Sequence, residues 1–168
     1  ASTLIRLDLD TPRRKSCATE PGVSTQVVGA KDGSLLLYEN VGPTSVPDFG
    51  PRGGFISPVA AVESSGNGAP IFGDVDGDGD EDLILGSTDG GLVLYENVGD
   101  AGKPLFERKD LLDGLTVGED STPALVDVGD GALGLVVGNS DGTLVYYRNV
   151  GSTGFERVEG ADDPFAGI

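Results

Sequence analysis

Histidine, tryptophan and methionine are absent from the 168-residue chain, and cysteine occurs once. Without histidine there is no imidazole general base and no His-ligated zinc. The single thiol, Cys17, has no partner for an intrachain disulfide and no histidine to activate it, so it is read as an inert thiol. Basic residues are also scarce, 11 against 28 acidic ones, and the net charge of −17 argues against nucleic acid and anionic membrane surfaces as direct partners. Apolar runs are only a handful of residues long, too short to span a bilayer. What remains is a chain with 38% hydrophobic residues, 28 glycines and 10 prolines, a composition expected of a globular protein built from many short elements joined by turns.

The elements recur. Leu35-Leu36-Leu37-Tyr38-Glu39-Asn40-Val41-Gly42 returns as Leu92-Val93-Leu94-Tyr95-Glu96-Asn97-Val98-Gly99 and as Leu144-Val145-Tyr146-Tyr147-Arg148-Asn149-Val150-Gly151. The offsets of 57 and 52 residues lie in the range of propeller blades and solenoid repeats. Each copy follows a turn: Val27-Val28-Gly29 leads into Asp32-Gly33, Ile84-Leu85-Gly86 into Asp89-Gly90, and Val136-Val137-Gly138 into Asp141-Gly142. An Asp-Gly pair between short β-branched and leucine-rich runs is a hairpin signal, and runs apolar on both faces predict strands buried on both sides. Return segments around Phe49, Phe106 and Phe155 predict a fourth strand per unit. The expected units are 2–60, degenerate and carrying an insertion at 11–24; 61–115; and 116–160, followed by a connector at 161–168. The predicted fold is all-β, three four-stranded antiparallel blades forming a partial β-propeller or propeller-like arc.

Between the first two predicted strands of the middle unit lies Asp74-Val75-Asp76-Gly77-Asp78-Gly79-Asp80-Glu81-Asp82. Asp74, Asp76, Asp78 and Asp82 sit at the first, third, fifth and ninth positions, and their convergence without a cation would be opposed by like-charge repulsion. Hard oxygen donors on a flexible loop suit Ca²⁺; the alternative is a solvated acidic turn. The loop is not an EF-hand, because Leu85 holds the twelfth position, where a bidentate Glu is required. The corresponding loops are depleted. The third unit keeps Asp127 and Asp130, and the first keeps Asp8 and Asp10 before a basic run, Arg13-Arg14-Lys15. One structural calcium is therefore expected.

Together, Phe72-Gly73-Asp74 through Asp82-Leu83-Ile84-Leu85-Gly86, then Asp89-Gly90 and Tyr95-Glu96-Asn97-Val98-Gly99, resemble the FG-GAP/VCBS repeats of integrin-α-like β-propellers. The resemblance weakens away from the middle unit. It implies a calcium loop in which Asp74, Asp76, Asp78 and Asp82 supply side-chain ligands and Asp80 a backbone carbonyl.

A lone blade cannot bury its faces, so three units imply further blades or a protein partner covering the open ends of the arc. The expected function is a non-enzymatic, calcium-stabilised interaction module, of which a peripheral subunit of a membrane-associated assembly is one form. The expected compartment is extracytoplasmic: secreted, periplasmic or organelle lumen. A lectin-like, carbohydrate-binding propeller is the alternative; Tyr38, Tyr95, Tyr146 and Tyr147 would be its platforms, although their apolar flanks suit core packing better. A hydrolytic pair could be drawn from any two of the 28 acids, but nothing in the sequence singles one out.

Overall fold

The Asp-Gly turns form as the composition demands. In a computed structural model, Gly33, Gly90 and Gly142 adopt φ of 89°, 80° and 80°, the left-handed region that a side chain disfavours. Each turn reverses the chain between two strands. The structure describes residues 4–7, 25–43, 45–51, 62, 64–99, 104–129, 131–151 and 154–166. The insertion at 11–24 with Cys17, and the acids Asp8, Asp10 and Asp130, lie outside the described residues.

Twelve strands are described: β1 (Leu4–Leu7), β2 (Thr25–Gly29), β3 (Leu35–Asn40), β4 (Phe49–Pro51), β5 (Ala69–Gly73), β6 (Asp82–Gly86), β7 (Leu92–Asn97), β8 (Phe106–Lys109), β9 (Thr122–Asp127), β10 (Leu133–Gly138), β11 (Leu144–Asn149) and β12 (Phe155–Val158). The fold is all-β, and each strand pairs antiparallel with its chain neighbour, giving sheets ordered β1-β2-β3-β4, β5-β6-β7-β8 and β9-β10-β11-β12. None closes into a barrel.

The register repeats with the sequence. Val27 pairs with Leu37, Ile84 with Leu94, and Val136 with Tyr146. At the return strands, Asn40 pairs with Phe49, Asn97 with Phe106, and Asn149 with Phe155. Each asparagine side chain helps to set this return. Asn97 Oδ1 accepts the amides of Gly99 and Leu105 at 3.1 and 3.0 Å, and Asn40 Oδ1 accepts those of Gly42 and Asp48 at 3.1 and 2.8 Å. Asn149 Oδ1 accepts the Gly151 amide at 2.8 Å. The return strand of the middle sheet begins at Phe106, two residues after Pro104, which has no N–H for a ladder.

Alternation along the strands gives every sheet two working faces. One face of the first sheet (Val27, Leu35, Leu37) packs against Phe72, Leu83 and Leu85 of the second. The opposite face of the second (Ile84, Leu92, Leu94) packs against Leu135, Val137 and Tyr147 of the third. The middle sheet is thus covered on both sides, and β6 is buried along its whole length. Burying one such leucine contributes about 1.5–3 kcal/mol, so these two layers hold the three sheets together. After β8, a 3₁₀ turn at Asp110–Leu112 sends Leu112 into the second layer, where it is fully buried. No described helix is long and apolar enough to cross a membrane.

Candidate metal centre

The acidic loop joins β5 to β6, and its own amides shape it. Asp74 Oδ1 accepts the amide of Gly77 at 2.7 Å and its Oδ2 that of Gly79 at 3.0 Å. Asp76 Oδ1 accepts the Asp78 amide at 3.1 Å, and Asp78 Oδ1 the Asp80 amide at 2.9 Å. Gly77 and Gly79 stand at φ of 84° and 99°. A Cβ on either would meet nothing within 4 Å, so glycine is required by the backbone angle and not by space.

This winding gathers three of the five predicted residues. Ligand oxygens of Asp74, Asp76 and Asp78 all lie within 4.8 Å of one another, the one such group among the described residues. Opposite ligands of a calcium ion, at 2.3–2.6 Å each, stand about 5 Å apart, so the cluster has the span of a calcium coordination sphere. The donors are hard oxygens, and the group can hold a metal ion.

Asp82 is placed differently. It is 1% exposed, and both carboxylate oxygens face backbone amides: Oδ2 accepts the Val75 N–H at 3.0 Å and Oδ1 the Asn97 N–H at 2.9 Å. It therefore ties the start of the loop to the end of β7. Burial raises its pKa to about 6; the two backbone hydrogen bonds oppose that rise, while Asp76 and Asp78 add to it. Asp76 is raised as well, first by desolvation and then by the charges of Asp78, Glu96 and Asp74, against the lowering effect of the Asp78 amide. Asp80 is half-buried and joins the loop through its own amide. In the third sheet, Asp127 Oδ1 accepts the Gly129 amide at 2.7 Å.

Two neighbours of the loop carried no motif signal. Glu96 lies close enough to Asp76 to raise its pKa, and its carboxylate is paired with Lys109 Nζ at 3.3 Å. Asn149 of the third sheet donates through Nδ2 to the Val75 carbonyl at 2.6 Å. Asp76, Asp82, Glu96, Asn149 and Phe155 border a cavity of about 160 Å³ between the second and third sheets. The recurring Tyr-Glu-Asn and Tyr-Arg-Asn triplets were the available clue, since they place Glu96 at the position of Arg148 and Asn149 at that of Asn97.

No protein family, curated protein or solved structure matches the chain. The chemistry of the centre therefore rests on its own geometry. That geometry is a carboxylate cluster open to solvent on one side and anchored, through Asp82, to two strands of a buried sheet.

Proposed function

We propose that the chain is a non-enzymatic, calcium-stabilised, propeller-like module that docks on protein. The observation that carries this reading is the loop itself. Three convergent carboxylates occupy the connection between the first two strands of the middle sheet, and Asp82, which closes that connection, is tied into the sheet behind them. A cation there neutralises a self-repelling turn and makes calcium binding part of folding stability. The repeated register supports a blade identity for each sheet, and the contacts of β5 with both β1 and β9 support a radial, propeller-like arrangement with first strands innermost. FG-GAP/VCBS-type repeats remain the family reading. Calcium loops of this repeat type serve where free calcium is high, so an extracytoplasmic position, peripheral to a larger assembly, accompanies the family reading.

The test is thermal melting of the full chain with Ca²⁺ and then with excess chelator. Calcium is expected to raise Tm by several degrees, since a ligand at about 100 times its Kd adds about 2.7 kcal/mol. Asp78→Ala is expected to abolish the increment. An unchanged Tm on chelation refutes the site.

The lectin-like alternative has one feature in its favour, an open groove of about 400 Å³ bordered by Ser65, Ser87, Asp89, Arg108 and Thr116. Its polar groups already bind one another, Ser87 to Asp89 and Arg108 to Asp110 and Asp113, and no aromatic side chain lines it among the described residues. The protein-docking reading is therefore preferred.

A further inference from the structure

Antiparallel pairing sends the turns of every sheet to its two ends. The Asp-Gly turns lie together at one of them: the amides of Asn67 and Thr88 donate to the carbonyls of Lys31 and Gly66, and those of Asp120 and Ser140 to Thr88 and Glu119. The turns between first and second strands, and between third and fourth, therefore share the opposite end, which is the end of the acidic loop. That end collects Val41, Val46, Val98, Leu105, Val128 and Val150, all 40–71% exposed. Val41, Val98 and Val150 stand at one repeat position, just after the asparagine that sets each return strand. Their amides close the turns by donating to the carbonyls of Asp48, Leu105 and Gly154 at 2.8, 2.9 and 2.9 Å. Any residue but proline offers that amide, so turn closure does not account for an apolar side chain there.

The same end is acidic. The turns 41–48, 74–81, 98–105, 128–132 and 150–154 carry eight acids and one base, Lys103. A calcium ion in the loop neutralises two of these charges and leaves the end negative. Beside the turns lies the cavity of about 160 Å³ between the second and third sheets. Leu94, Leu111 and Phe155 give it apolar walls, Asp76 and Glu96 border it, and Gly151 comes from the turn that carries Val150. Apolar walls beside carboxylates match a lysine or arginine side chain, whose methylene stem packs on apolar surface while its charge meets an acid.

We infer that this end docks a protein segment rich in apolar and basic residues, with the valines meeting its apolar side chains and the cavity taking one basic side chain. This rests on the protein-docking reading above and names the chemistry of the partner. The sign of the charge selects it. A second copy brings the same acidic turns and an anionic bilayer the same sign, so both are repelled where a basic segment is attracted. Apolar contact then holds what charge has steered into place.

The experiment is fluorescence anisotropy of a labelled leucine-lysine peptide titrated with the full chain, in calcium and about 0.15 M salt to screen non-specific attraction. Two further peptides replace every leucine by serine or every lysine by glutamate, and each is expected to bind at least about tenfold more weakly. Joint replacement Val98→Ser and Val150→Ser, at exposed positions where Tm is expected to hold, should weaken the leucine-lysine peptide at least about tenfold, since two half-exposed valines leave the contact. Glu96→Gln should weaken it about two- to fivefold. No binding overturns the inference, as does binding that ignores the valine or Glu96 replacements or the loss of leucine, which marks charge attraction alone. Tighter binding to phosphatidylserine vesicles in calcium also overturns it, in favour of a membrane surface. A chain that ignores the peptide while its Tm still rises with calcium removes this inference alone; a chain that binds the peptide but is indifferent to calcium removes the calcium reading alone.

Discussion

Replacing Asp82 by asparagine, in protein stripped of metal, isolates the cost of keeping a carboxylate inside the middle sheet. Asp82 has its pKa raised to about 6 from an ordinary 3.8, so the native state binds this proton more tightly than the unfolded chain. The sign follows: above pH 6 the ionised group opposes folding in full, and the penalty fades as pH falls towards 3.8. Linkage between those two values gives the wild type about 2 kcal/mol of added stability from this site between pH 7 and pH 4.5. The Asp82→Asn protein has no such pH dependence at this position, although one of the Val75 and Asn97 amides loses its acceptor at a pH-independent cost of about 1–3 kcal/mol. The assay is urea unfolding of both proteins in chelator at the two pH values. With a slope of about 2 kcal/mol/M, the wild-type midpoint should gain about 1 M relative to Asp82→Asn on acidification. Other acids titrate in both proteins and cancel in the comparison. A midpoint difference that stays constant across this range refutes the assignment of a destabilising, buried carboxylate.

Gly86→Ala and Gly138→Ala form a matched pair. The first drives a Cβ into the Ser121 carbonyl and should cost at least about 1–3 kcal/mol, whereas the second meets only ordinary contacts and should leave Tm of dilute protein unchanged; equal losses would refute the sheet-contact argument. Leu85→Ala, at a fully buried site between the first and second sheets, should destabilise by about 2–5 kcal/mol in urea unfolding, and a loss under about 1 kcal/mol would refute the packing.

The strands and their register were legible because two local signals agreed. Asp-Gly turns fixed where each hairpin reverses, and the paired apolar runs left only one alignment, so Val27, Ile84 and Val136 all meet the third residue of the next strand. The cluster of Asp74, Asp76 and Asp78 was legible from spacing: alternate acids on a loop that Gly77 and Gly79 allow to turn sharply can bring their carboxylates together. Asp82 was not. Spacing says that a ninth-position acid is near the loop, but the direction of its carboxylate depends on the Asn97 amide, which approaches from a strand fifteen residues away. Asn149 was further out of reach, since its partner Val75 is separated from it by 74 residues and by a change of sheet.

The pairing of each strand with its immediate chain neighbour has a kinetic consequence. Within the second and third sheets the contacts are local, so each can assemble by zipping hairpins with little loop entropy to overcome, whereas β1 must close over residues 8–24 to reach β2. The contacts between sheets, including the Asn149 link to the acidic loop, are the long-range ones. In a chain organised in this way each unit is stabilised by its neighbours, and a repeat can be added or lost in evolution without rethreading the others.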